Sequence, residues 1–390
     1  MMVSSGLQIL LQEKLNLLRG KRIGILCNPA SVDSNLRHIV DLFWEHEKIH
    51  LTTLMGPQHG ARGETQDNMI EWKNYQDFRT GLPVYSLYSE TRKPTPEMLQ
   101  EIDSLVIDLQ DVGTRIYTFV YTMLHAMEAC KASDIEVVVL DRPNPINGEE
   151  VEGPVLEEKF KSFVGAYPLP MRHGMTIAEL ARYFNQKMGI NCRLKTVPMR
   201  GWNRHMLFEE TGLPWVMPSP NMPTIDTSLT YPGTVIFEGT NLSEGRGTTR
   251  PFEVNGAPWI HPELLLSILN DFTFDSVCFR PFSSIPTFNK WQGEMIGGVQ
   301  IHVTDRKTFK PFRTGLGLLI AYRNLDIDRF RWIPPPYEYE FEKLPFDILC
   351  GTDSIRHQIE KGVDLEKIEL SWEIGLEQFK EIRKNYLLYD

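Results

Sequence analysis

The 390-residue sequence is 42% hydrophobic and 24% charged, with a formal net charge of −10. This balance predicts a globular chain with a substantial core, and the length predicts two domains. The acidity and the absence of a Lys/Arg run argue against nucleic-acid binding and against anionic membrane surfaces, and no apolar run reaches the ~18 residues of a spanning helix.

The opening residues lack a basic region, and their apolar stretch is broken by Gln12, Glu13 and Lys14. They read as an amphipathic first helix rather than a signal peptide. Residues 21–27 (KRIGILC) form a short β-branched run, and Asp33 is placed to cap a helix carrying Leu36, Ile39, Val40 and Phe43 at helical spacing. Residues 49–55 and 82–88 predict two more strands. Thr95-Pro96 then opens a helix, with proline at its first position. Strands are expected at 104–111 and 135–144, separated by a buried-looking helix over 117–132. Apolar strands alternating with helices imply a parallel sheet covered on both faces.

Thr176 and Glu179 form a capping box before another helix, and residues 192–199 predict a further strand. Residues 213–224 hold four prolines, which makes a stiff loop and a domain boundary. Beyond it, residues 233–249 read as a strand entering a Gly-rich polar loop, and the rest mixes strands with helices. The expected architecture is α/β: a Rossmann-like, mostly parallel sheet over residues 1–225, with a smaller α+β domain over 226–390. The five cysteines (Cys27, Cys130, Cys192, Cys278, Cys350) are scattered without a CxxC pair. Reduced thiols are expected. The sequence as it stands predicts a cytoplasmic protein, or a periplasmic or secreted one if a leader has been removed.

The chemically loaded residues fall after the predicted strands. Asn28 follows the first. The loop GPQHGARGE, with Gln58, His59, Arg62 and Glu64, follows the second. Asp108, Gln110, Asp111, Arg115 and Tyr117 follow the fourth; Asp141, Arg142 and Asn144 follow the fifth. In open α/β sheets, ligands bind outside the carboxyl ends of the strands, so these groups predict one polar cleft. Each also has a bland alternative as a turn residue, helix cap or internal ion pair. No GxGxxG or GxxxxGK[ST] is present, so no nucleotide cofactor is expected. His59, Asp108, Asp111, Asp141 and His173 lack metal-ligand spacing, and GxSxG is missing. What remains is carboxylates, amides and arginines. Carboxylate pairs suit glycosidic bonds, and arginine forks suit an anionic substrate group. Tyr117, Trp202 and Trp215 could stack on a sugar.

The stretches KRIGILCNPAS, GPQHGARG, DLQDVGTRIYTF, LDRPNPINGEEVEGP, MRHGMTIAELARYFN, WVMPSPNMPT, YPGTVIFEGTNLSEGRGTTRPFE, FDILCGTDSIRHQIEKG and RKNYLLYD together resemble the exo-β-N-acetylmuramidase family typified by NamZ, formerly the YbbC domain family. The resemblance runs from about residue 20 to the end. It implies release of terminal N-acetylmuramic acid (MurNAc) from the non-reducing end of peptidoglycan fragments. It implies no nucleotide cofactor; no other cofactor and no metal are expected from the residues, and the oligomeric state is left open. The lactyl carboxylate of MurNAc would engage Arg62, Arg115, Arg172 or Arg246. Many members resemble PEHG where this chain has Pro57-Gln58-His59-Gly60, and an amide cannot donate the catalytic proton. The alternatives for that role are Glu64, Asp67 and Glu71 nearby, Glu244 and Glu238 from the second domain, and Asp111, and His59 and Gln110 are expected to orient the reacting sugar. Asn28, Gln58, Asp108, Gln110, Tyr117, Asp141, Arg142, Asn144, His173, Asn221, Glu238 and Asn241 join the four arginines as candidate substrate contacts. Two other readings are a muropeptide-binding protein without catalysis and a metal-dependent hydrolase.

Overall fold

The computed structural model describes residues 2–65 and 70–390. In the N-terminal part, α1 (Gly6–Glu13) precedes β1 (Arg22–Cys27), and α2 (Ile39–Trp44) precedes β2 (His50–Gly56). Then come β3 (Tyr75–Gln76), β4 (Pro83–Ser86), α3 (Pro96–Leu99), β5 (Ser104–Asp108), α4 (Phe119–Ala132) and β6 (Glu136–Leu140). A small antiparallel pair, β7 (Glu152–Val155) and β8 (Pro170–Arg172), stands apart. After it, α5 (Ile177–Gln186) leads to β9 (Leu194–Val197). The main sheet has seven strands in the order β3-β4-β2-β1-β5-β6-β9. All neighbours run parallel except the short edge strand β3.

Side chains alternate across this sheet as the two-residue strand period requires. Ile23, Ile25, Val106, Val138 and Leu140 pack with Leu7, Leu10, Ile39, Val40 and Phe43 on one face. Leu26, Leu105, Ile107, Val137 and Val139 pack with residues of α4 and α5 on the other. The predicted Thr176–Glu179 capping box forms at α5, and the structure adds a second, from Ser5 and Gln8, at α1.

Two local expectations fail. Asp33 closes a tight turn on the amides of Asn35 and Arg37, and α2 begins only at Ile39. The run from Gly233 is helical: α6 (Ile225–Thr234) passes into a 3₁₀ turn over Val235–Gly239. Its β-branched residues are buried on every side, and a short apolar run carries no period that separates strand from buried helix.

The smaller domain contains β10 (Val254–Ala257), α7 (Pro262–Leu269), β11 (Val277–Ser284), β12 (Ile296–Val303) and α8 (Pro311–Leu325), followed by short helices. Its sheet is antiparallel in the order β10-β12-β11. One buried apolar cluster runs from Leu26 and Met55 through Phe312 to Phe379. Each fully buried large apolar side chain contributes roughly 1.5–3 kcal/mol, against ~0–1 for an exposed ion pair. Shared core therefore binds the two halves more than surface charge does. The tail also returns to the first sheet. Tyr389 Oη donates to Asp141 Oδ2 at 2.5 Å, and the Leu388 amide donates to Glu179 Oε1 at 2.8 Å.

Candidate active site

A hollow of about 500 Å³ opens between the two halves. Gln58, His59 and the 116–119 segment line it from the N-terminal part, with Ser219, Asn221 and Met222 from the proline-rich loop. Tyr231, Glu238, Arg246, Phe252, Tyr337 and Glu338 complete it from the C-terminal part.

The GPQHGARGE loop is folded to present two of its side chains here. A Cβ on Gly56 would sit 2.5 Å from the Ala61 nitrogen, so only glycine allows the loop to double back. His59 adopts a left-handed φ of 73° and Gly60 one of 90°. Trp72 Nε1 donates to Pro57 O at 3.1 Å. Thr118 Oγ1 donates to Gln58 Oε1 at 3.1 Å, and His59 Nδ1 lies 3.3 Å from Thr65 O. Arg62 and Glu64, expected in the cleft, serve the loop instead. Arg62 bonds Asp41 and Asp77, both at 2.7 Å. Glu64 accepts from the Arg62 amide and from Tyr75.

The opposite wall is a chain of ionic contacts. Glu238 takes Arg246 Nη2 on Oε1 at 2.8 Å and Tyr337 Oη on Oε2 at 2.7 Å. Glu244 sits behind, with Lys290 Nζ at 3.0 Å and Arg246 Nε at 3.4 Å. Burial alone would raise the Glu244 carboxyl, but Lys290 and Arg246 outweigh it and hold it below the ordinary range. That charge state suits a group that positions Arg246, and not the proton donor expected of Glu244 from the sequence. The Asn221 Nδ2 and Arg246 Nε atoms are buried without a hydrogen-bond partner among the described residues. Such groups cost about 1–3 kcal/mol each until a ligand or water meets them.

The remaining strand-end groups do not face this hollow, because they satisfy one another. Arg142 grips Asp108 with Nε and Nη2 and reaches Val32 O. Asn28 donates to Gln110 O at 3.2 Å, and Gln110 Nε2 donates to Asp111 O and Pro143 O. Gln110 and Arg142 instead border a second hollow of about 340 Å³ with Trp215. Asp141 accepts from Thr176 Oγ1, Tyr389 Oη and the Ala178 amide. Burial and the Glu179 charge raise it to about 7. Asn144 bonds Met175 O and the Ile146 amide.

Asp111 is buried, with Oδ2 on the Gly113 amide at 2.7 Å and 3.2 Å from His173 Nε2. Arg115 and Arg172 are enclosed and donate to the backbone carbonyls of Leu349 and Ile146. Asn241 pins Arg329 and Arg331. Glu71 is not part of the lining and bonds Arg92 and Tyr339. Trp202 packs in the core against Tyr389. Asp67 lies outside the described residues. Among the described residues, no three His, Cys, Asp or Glu side chains gather as a metal-holding group.

Models of the N-terminal and C-terminal parts of the exo-β-N-acetylmuramidase NamZ match residues 23–226 and 229–389. The chain belongs to the NamZ family. It is 48% identical over 390 residues to the peptidoglycan β-N-acetylmuramidase NamZ of Bacillus subtilis (strain 168), covering 99% of this chain and 91% of that protein. Two crystal structures of DUF1343 family proteins from Bacteroides fragilis NCTC 9343 share its fold. One aligns with a TM-score of 0.90 at 35% identity, the other with 0.77 at 31%. Both alignments cover 100% of this chain and 99% of the other.

In this NamZ-family chain, the wall that sequence reasoning missed is the segment after Pro334, Pro335 and Pro336. There Tyr337 and Glu340 exchange backbone bonds at 2.9 Å and turn Glu338 inward. The available signal was composition: acids alternate with tyrosines directly after three prolines. Tyr231 was hidden for a different reason: it lies just before the run misread as a strand and is a buried helical residue.

Proposed function

We propose that this chain is an exo-acting glycoside hydrolase that removes a terminal β-linked MurNAc from peptidoglycan fragments. The observation that carries the reading is the hollow itself. Two carboxylates, Glu238 and Glu338, share it with an arginine, an amide, an imidazole and aromatic rings. This is the equipment of glycoside hydrolysis, in which carboxyl groups manage the proton and the developing positive charge at C1. A concave site lined by polar groups and aromatic rings suits a sugar at a chain end.

Arg246 is the cation for the lactyl carboxylate, since it is the arginine that lines the hollow. Gln58 and His59, on a loop fixed by glycines, offer polar contacts to the ring substituents. We place the boundary between the halves at residues 225 and 226, so that each half supplies one wall.

The test is turnover of a muramyl disaccharide and of an aryl β-MurNAc glycoside by purified protein, with the corresponding GlcNAc glycosides as controls. Release of MurNAc is the expected result. Saturable binding by calorimetry without release, between pH 4 and 9, would replace the hydrolase with a muropeptide-binding protein.

A further inference from the structure

We propose that Glu338 is the carboxyl group that protonates the glycosidic oxygen, an inference that rests on the hydrolase reading above. Glu338 stands at the tip of the 337–340 turn and lines the hollow while remaining only 6% exposed. Its φ is 44° and that of Tyr339 is 67°. Two successive non-glycine residues in left-handed backbone carry a cost of order 1–3 kcal/mol each and persist where the surroundings enforce them. The enforcement is visible. Tyr88, beyond the end of β4, donates from Oη to Glu338 Oε2 at 3.0 Å. Arg92 lies over the Tyr88 ring at 4.7 Å and the Tyr339 ring at 4.0 Å, and Glu71 joins Arg92 to Tyr339 Oη. An N-terminal aromatic–arginine stack thus clamps a C-terminal turn with its carboxyl facing the hollow.

The charged and titratable groups around Glu338 are Tyr88, Arg92 and Glu71 on the clamp, and Glu238, Arg246, Tyr337 and Tyr231 on the wall. Burial, then the Glu238 charge, raise Glu338 to about 7, while the Tyr88 hydrogen bond, Arg92 and Arg246 pull the other way. A carboxyl that titrates near neutrality is protonated when needed and still able to release its proton. Gln58 and Glu244 do not share this property. Gln58 has no acidic proton, and Glu244 is held below the usual range.

In the step, the Glu338 proton passes to the glycosidic oxygen as the C1–O bond breaks and its electron pair leaves on that oxygen. Water then adds to C1, and the proton it loses restores the Glu338 carboxyl. The sum is glycoside plus water giving two hydroxyl products.

The experiment compares wild type, Glu338→Gln and Tyr88→Phe on two substrates. One is a muramyl disaccharide, whose leaving alcohol needs a proton. The other is a nitrophenyl β-MurNAc, whose leaving phenolate does not. Thermal melts confirm that the near-isosteric variants fold. For E338Q we expect kcat/KM on the disaccharide to fall by about 10²–10⁴, the range of general acid catalysis. The loss on the nitrophenyl glycoside should be at least tenfold smaller. The alkaline limb of the wild-type pH profile, near 7, should disappear in E338Q. In Y88F it should move to higher pH, because a hydrogen bond to the charged form is lost. Equal losses on both substrates, or an unchanged alkaline limb in E338Q, would overturn the assignment while leaving the hydrolase standing. A wild type that releases MurNAc from neither substrate would remove both.

Discussion

Arg142 closes on both carboxylate oxygens of Asp108, with Nε at 2.5 Å and Nη2 at 2.7 Å. Neither side chain is more than 6% exposed. The pair is a brace between the ends of β5 and β6 rather than a grip on substrate. Asp108→Ala strands a buried guanidinium and should cost about 3–5 kcal/mol, the usual penalty for breaking a buried pair. Urea unfolding measures it. A loss confined to KM, with stability unchanged, would return Asp108 to the substrate site.

Arg246 carries a prediction about selectivity. Arg246→Lys keeps the charge but loses the fork that serves Glu238, Glu244 and the proposed carboxylate together. A hydrogen bond to a charged group is worth ~1.5–3 kcal/mol, about ten- to a hundredfold. The kcat/KM preference for a MurNAc glycoside over its GlcNAc counterpart should shrink by that factor. An undiminished preference would place the lactyl contact elsewhere.

Gly56 tests the loop. In Gly56→Ala the new methyl would meet the Ala61 nitrogen and the Gly60 carbonyl carbon, both backbone atoms that cannot swing aside. Overpacking of this kind costs typically 1–3 kcal/mol. It should also displace Gln58 and His59, lowering kcat/KM by at least tenfold. Normal kinetics and an unchanged melting temperature would show that the loop has room.

Glu152 makes stability depend on pH. It accepts the backbone amides of Phe312 and Arg313 at the start of α8, at 3.1 and 2.8 Å. Burial outweighs those amides and raises its carboxyl to about 7 from 4.5. Below 4.5 both folded and unfolded chains hold the proton. Between 4.5 and 7 the unfolded chain releases it and the folded chain keeps it, so stability falls as pH rises through that window. Compared with Glu152→Gln, the wild type should lose roughly 1.4 kcal/mol per pH unit there. Denaturant titrations at pH 4.5, 5.5, 6.5 and 7.5 measure the difference; a constant difference would refute the shift.

The sheet was readable because its strands are apolar and β-branched, and because caps such as Thr176 and Glu179 mark where helices start. The GPQHGARGE loop was readable from its glycines, and Gln58 and His59 do line the hollow. The step from polar strand ends to one cleft went too far. A sequence gives residue types but not partners, and Asp108 with Arg142, or Asn28 with Gln110, meet each other first. Glu338 escaped notice because nothing periodic surrounds it. Its placement depends on Tyr88, 250 positions earlier in the chain.

The returning tail has a consequence for how the molecule is made. During synthesis the seven-stranded sheet emerges long before residues 388 and 389, yet Asp141 and Glu179 await Tyr389 and the Leu388 amide. Until residues 388 and 389 have been synthesised, those two acids lack these donors. The N-terminal sheet thus acquires part of its buried polar satisfaction from residues synthesised well after its own strands.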